Sequence, residues 1–243
     1  MTQYLQQLGS ISEGFPDPHT ALTQPDGLLA IGGCLSVNRL ADAYRNGIFP
    51  WYSDGEPLMW WSPSERAVIE LEQFHVSRSL RKALKRLKPR VTVNTCFAEV
   101  ISACKWQRMD DEGTWITDDM ELAYINAHKA GIAHSIEVWQ GQELVGGLYG
   151  IMQSRVFCGE SMFHKETDCS KLAMWALVEL LKQHDCDFID CQLMNPYLEK
   201  LGASPVPRAV FLTRLKRSNE LLCDLSFWQP HEIVSPYGQT FSN

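Results

Sequence analysis

Residues 134–192 constrain the fold most strongly, because hydrophobic spacing there passes from a period of two to a period of 3.6 and back again. HSIEVW (134–139), ELVGGLYGIM (143–152) and RVFCGES (155–161) are rich in β-branched, aromatic and small residues, which suit a pleated, half-buried surface. Gln140-Gly141-Gln142 joins the first two, so the three segments are expected to form an antiparallel sheet. Over 170–184, Leu172, Ala173, Ala176, Leu177, Leu180 and Leu181 share one face of a helix, with Lys171, Glu179, Lys182 and Gln183 elsewhere. CDFIDCQ (186–192) follows as a short buried strand, and 198–203 and 208–222 are expected to be helical. This β-β-β-α-β-α order places the chain in the α+β class, with a mostly antiparallel sheet flanked by helices.

The character changes near residues 110–133. Before it come PDGLLAIGG (25–33), GIFPWY (47–52) and LMWWSP (58–63), whose Gly and Pro residues enforce bends. That half is expected to be irregular, with short helices at about 36–46 and 76–88. The division that follows is a smaller N-terminal α+β domain over 1–65 and a catalytic domain over 66–243, with a boundary that can fall as late as 110.

At 243 residues and 45% hydrophobic composition the chain can bury a sizeable core. No window approaches the roughly 20 apolar residues that cross a bilayer, and MTQYLQQLGSISEG lacks the basic-then-apolar pattern of a leader. A cytoplasmic location without membrane contact is expected. Eight cysteines occur without a CxxC pair and seven histidines are dispersed, so reduced thiols are expected, with no metal site and no cofactor. The net charge of −7 argues against a nucleic-acid partner, yet HVSRSLRKALKRLKPR (75–90) holds seven of the 22 basic residues and no acid. Val76, Leu80, Leu84 and Leu87 make an apolar stripe there, leaving Arg78, Arg81, Lys82, Lys85 and Arg86 on the other arc of the helix. That arc can lie along the phosphates of an RNA.

Taken in order, PDGLLAIGG, YRNGIFPWY, WWSP, EGTWIT, AHSIEVW, LVGGLYG, FCGESMF, the Ser-Lys pair at 170–171, IDCQ and LGA…PR resemble the leucyl/phenylalanyl-tRNA–protein transferase family from about residue 15 to 215. The resemblance implies an N-acetyltransferase-superfamily fold for the catalytic half. It implies transfer of Leu, Phe or less readily Met from aminoacyl-tRNA to proteins beginning with Arg or Lys, marking them for degradation. Three positions depart from the family pattern. Cys34 stands where GGDLS is more usual, Ser64-Glu65 replaces Asp-Pro after WWSP, and Tyr197 replaces a His after Asn-Pro.

On this resemblance Asp190 and Gln192 are the catalytic pair, two apart at a strand end and so expected on the same face. Gln192 is expected to accept from the incoming amine through its carbonyl, while Asp190 orients it and draws the proton away. Glu160 supplies a second carboxylate for the α-amine or the basic side chain of the acceptor. Asn195 can hydrogen-bond the ester or ribose, and Trp51 and Trp115 offer faces for the terminal adenosine. Leu148, Met162, Met174 and Leu177 are candidates for an apolar slot that rejects Val and Ile, or are ordinary core. Peptide-bond formation from an ester is downhill, so positioning outweighs strong base catalysis. Two other readings stay open: an acyl-CoA-dependent N-acetyltransferase, opposed by the glycine-free turn FHKETDCSK, and a non-catalytic RNA-binding module. The enzyme is expected to act as a monomer.

Overall fold

The computed structural model describes residues 5–9, 13–111 and 115–233, with the backbone alone for 108–111. Glu112, Gly113 and Thr114 of the EGTWIT segment and parts of the leading 14 residues lie outside that description.

Short strands dictated by the Gly- and Pro-rich first quarter build a small sheet: β1 (Gln6–Leu8), β2 (Leu28–Gly32), β3 (Phe49–Pro50) and β4 (Met59–Trp61), in the order β1-β2-β4-β3. Helix α1 (Val37–Arg45) lies between β2 and β3, and its N-cap Ser36 accepts a hydrogen bond from the Arg39 backbone N–H.

The remaining strands are β5 (Glu65–Glu70), β6 (Arg90–Val93), β7 (Ala133–Gln140), β8 (Glu143–Gln153), β9 (Val156–His164), β10 (Phe188–Asp190), β11 (Ala203–Pro207) and β12 (His231–Glu232). They form one eight-stranded sheet in the order β11-β5-β10-β9-β8-β7-β6-β12. Every pairing is antiparallel except β9 with β10, which are parallel and joined by the crossover helix α5 (Cys169–Gln183). The expected β-β-β-α-β run is therefore present with ends shifted by one to three residues, and the chain is α+β as anticipated.

Helix α2 (Arg78–Leu87) occupies the expected basic segment and packs on α5. Two long helices, α3 (Phe97–Asp111) and α4 (Asp118–Lys129), fall where the sequence reading placed irregular chain or a change of character. They contact the sheet and one another, and α4 also touches α1; each buries one face, Phe97, Val100, Ile101 and Cys104 on α3 and Met120, Ala123, Tyr124 and Ala127 on α4. Helices α6 (Pro196–Lys200) and α7 (Arg208–Asn219) complete the fold.

Two apolar layers cover the large sheet. On one face α5 packs over Leu148, Val145 and Phe157 together with Phe227 and Trp228. The other layer joins Leu40, Tyr44 and Trp60 of the first quarter to Tyr124, Tyr149, Phe163, Phe188 and Phe211. Small and large sheets thus share this second layer. No helix among the described residues is long and apolar enough to cross a membrane.

Candidate active site

Strands β9 and β10 run side by side until Asp190 pairs with Cys158. Beyond that point the chain stays with β5, since Cys191 N–H donates to the Ala67 carbonyl and Ala67 N–H to the Gln192 carbonyl, at 2.8 and 3.1 Å. β9 continues alone, and the strands part. A cleft of about 220 Å³ opens there, lined by Gly159–Met162 on one side and Cys191, Gln192, Leu193 and Asn195 on the other.

The cleft reaches both faces of the sheet. Leu148, Met162 and Met174 line it from the α5 layer. Phe49, Pro50, Trp51 and Trp115 line it from the side of the shared layer. Trp51 is 41% exposed and packs edge-on against Trp61 with ring centroids 5.6 Å apart.

Glu160 reaches this gap through a β-bulge. Tyr149 pairs with Ser161 and Gly150 with Gly159, leaving Glu160 as the extra residue of β9. A bulge turns a side chain away from strict alternation. Gly150 makes it possible, because a Cβ there would lie 2.2 Å from the Cys158 carbonyl oxygen. Gly150→Ala is accordingly expected to displace the bulge, lowering both the melting temperature and any activity that needs Glu160. A thermal melt alongside a turnover assay checks this.

Gln192 Nε2 donates to Glu160 Oε1 at 2.9 Å and Tyr124 Oη donates to Glu160 Oε2 at 2.9 Å. Tyr44 Oη hydrogen-bonds Tyr124 Oη in turn. Burial pushes the Glu160 carboxyl up to about 7, against the pull of the Tyr44 and Tyr124 hydrogen bonds, with the Asp190 charge adding to the rise. Burial and the nearby Glu160 charge raise both phenols well above their ordinary range. A carboxyl that titrates near neutrality, fixed by donors on both oxygens, can take and return a proton at physiological pH.

Asp190 is not at the cleft surface. Its side chain is fully buried and its two oxygens accept from Arg66 Nε and Nη2, each at 2.8 Å. Oδ1 also accepts the Gln192 backbone N–H at 3.0 Å. Gln192 has left the strand, with φ +58, so two-residue alternation does not put the pair on one face as expected. Asp190 holds the Gln192 backbone N–H, and Glu160 is the carboxylate that lines the cleft.

The other candidates divide. Asn195 lines the cleft, and its Oδ1 is engaged as the α6 N-cap, accepting from Tyr197 and Leu198 N–H at 3.0 and 2.9 Å. Leu148, Met162 and Met174 line the cleft, whereas Leu177 is wholly buried core outside it. Arg78, Arg81, Lys82, Lys85 and Arg86 are all exposed along α2, while of the expected stripe Leu80 is buried and Val76, Leu84 and Leu87 are half-buried, with Ala83 buried beside them.

Of the three unusual positions, Tyr197 lines the cleft and its hydroxyl is 3.5 Å from both Met162 Sδ and Ser170 Oγ. Ser64 bonds Asp26 through backbone and side chain, and Cys34 contacts Ser36 Oγ at 3.5 Å. Arg66, Tyr44 and Tyr124 were not singled out from sequence. A lone arginine inside the otherwise apolar run RAVI was the available signal for the first, since an arginine enters a buried strand only with a partner.

Family comparison adds the following. Residues 68–216 match the family described as leucyl/phenylalanyl-tRNA protein transferase, and 33–64 match the N-terminal domain of the same family. The chain is 60% identical to the leucyl/phenylalanyl-tRNA–protein transferase of Pseudoalteromonas translucida (strain TAC 125), across 98% of this chain and 100% of that one. It is 57% identical to the one from Pseudoalteromonas atlantica (strain T6c / ATCC BAA-1087), across 91% and 95%. Among solved structures, that of L-PGS from Bacillus licheniformis overlaps 69% of this chain and 53% of its own, at 13% identity and a TM-score of 0.37.

Proposed function

This chain belongs to the leucyl/phenylalanyl-tRNA–protein transferase family, and from that premise we propose that it moves Leu, Phe or Met from aminoacyl-tRNA to the α-amino group of proteins beginning with Arg or Lys. The observation that carries the chemistry is Glu160 in the gap between β9 and β10, bracketed by Gln192 and Tyr124.

The acceptor amine attacks the ester carbonyl carbon, a C–N bond forms, and the C–O bond to the terminal ribose breaks. Glu160 takes the proton from nitrogen and passes it to the departing ribose oxygen. Because Gln192 spends its amide N–H on Glu160, its carbonyl is left to receive an N–H of the amine and aim the lone pair. Deprotonating an α-amine with pKa near 8 costs only about 1 kcal/mol at pH 7, so a base near neutrality suffices.

Leu148, Met162 and Met174 receive the unbranched aminoacyl side chain, and Trp51 and Trp115 stack the adenosine. Asn195 contacts the ester or ribose. The exposed cations of α2 lie along the acceptor stem, outside the cleft and next to α5. Contacts of that kind carry little sequence information. We take 1–65 and 66–243 as the two units, acting as a monomer in the cytosol and calling on no cofactor.

The test is direct. Labelled Leu-tRNA incubated with a peptide beginning with Arg should leave label on the peptide, and a peptide beginning with Asp should stay unlabelled. No transfer to either removes the reading. Charge reversal at Arg81 and Lys85 should weaken tRNA binding and reduce the slope of log affinity against log salt by about 2. An unchanged salt titration detaches α2 from the tRNA.

A further inference from the structure

We infer that Arg66 is a positioning residue that holds the two walls of the cleft at their working separation. The inference rests on the reading of that cleft as the transfer site. Arg66 is 1% exposed and does not line the cleft, so it touches no substrate.

Its guanidinium is shared between the walls. Nε and Nη2 grip Asp190, whose Oδ1 also takes the Gln192 N–H and so sets where that side chain points. Nη1 donates to the Gly47 carbonyl at 2.8 Å. From Gly47 the chain runs directly into Phe49, Pro50 and Trp51, which form the opposite wall. The flat faces of the guanidinium are covered by Phe49 and Phe211, with ring centroids 4.8 and 4.5 Å away. No other side chain offers three N–H groups in one rigid plane. Lysine can keep the charge but not this simultaneous hold.

Stability alone is a poor reason for such an arrangement, because a buried ion pair is often matched or bettered by apolar side chains of the same size. Position is the better reason. Arg66 falls between the segments matched by the two family profiles, 33–64 and 68–216, and joins the end of β10 to the chain entering β3. The effect expected of a lost pin is misplacement, which is expensive when reacting atoms must meet within a fraction of an ångström.

The experiment compares Arg66→Lys with Gly47→Ala. Gly47 has φ +71, and a Cβ there would lie 2.6 Å from Leu212 Cδ2 and 3.0 Å from Phe211 Cε1. That substitution disturbs the Gly47 carbonyl and the Phe211 ring that hold the guanidinium, while the Arg66 and Asp190 side chains themselves stay chemically unchanged. Both variants should lower kcat about 10- to 100-fold, leave the affinity for tRNA lacking its terminal adenosine unchanged, and shift or broaden the ¹⁹F resonance of a fluorotryptophan at Trp51. Combined, they should cost little more than the worse of the two, because the same hold is lost once.

Leu180→Ala, a core change in the other layer, supplies a control in which melting temperature falls while kcat and the resonance stay put. Losses that multiply in the double variant overturn the inference. So does Arg66→Lys with wild-type kcat and an unmoved resonance. If Arg66→Lys does not fold, Gly47→Ala decides alone by the same two readouts. Gln192→Ala separates the two ideas: full transfer by that variant defeats the reading of the site, whereas its inactivity beside a fully active Arg66→Lys defeats only the role of Arg66.

Discussion

Replacing Glu160 by Gln should lower kcat by about 10²–10⁴-fold, the usual contribution of a positioned proton-transfer group, while the tRNA still binds. Glutamine keeps the size and can still accept from Tyr124, so the loss reports the missing proton acceptor. The pH profile provides the sharper check. In the native enzyme Glu160 titrates at about 7, so kcat should rise with pH through that value and then level off. The same shift has a consequence for stability. A carboxyl whose folded value is raised binds its proton more tightly in the native state, and this stabilisation is complete below the unfolded value of 4.5 and lost as pH rises through about 7. Glu160→Gln should therefore melt with a shallower fall across that window. A kcat profile that keeps its rise near pH 7 in the Gln variant would return the proton-accepting role to another group.

Asp190→Ala should behave differently. It leaves Arg66 charged, buried and without its carboxylate, a situation that costs about 3–5 kcal/mol. In a chain of this size that is a fall in melting temperature of roughly 10 °C. Activity lost in this variant follows from a distorted and destabilised protein as well as a misdirected Gln192. Asp190→Ala melting at the wild-type temperature would show that the ion pair is not needed to hold the strand end.

β7 and β8 were legible from their β-branched and aromatic content and from the Gln140-Gly141-Gln142 turn between them, although both are buried on both faces, and α5 from its length and the spacing of its leucines and alanines. α3 and α4 each bury residues at i, i+3, i+4 and i+7, but exposed apolar residues on their other sides, Trp106 and Leu122, blur the stripe that would announce a helix. β5 was missed because its four central residues, Arg66 to Ile69, are all buried, and strict alternation disappears in a strand covered on both faces.

The site was legible in its residue types and less so in its geometry. Glu160, Gln192, Trp51, Trp115 and Met174 do line one cleft. Counting along the strand put Asp190 on the cleft face beside Gln192, where a left-handed turn at Gln192 intervenes, and it could not foresee that a bulge delivers Glu160. Arg66 pairs with a residue 124 positions away, and no local pattern encodes a partner at that distance.

The apolar layer common to both sheets has one more implication. Tyr44 on α1 hydrogen-bonds Tyr124, whose ring packs edge-on against Tyr149 within that layer, so heating has to break one shared core before either part can come away. Calorimetry should record a single endotherm in which the calorimetric and van't Hoff enthalpies agree, and residues 66–243 expressed alone should be recovered as aggregate.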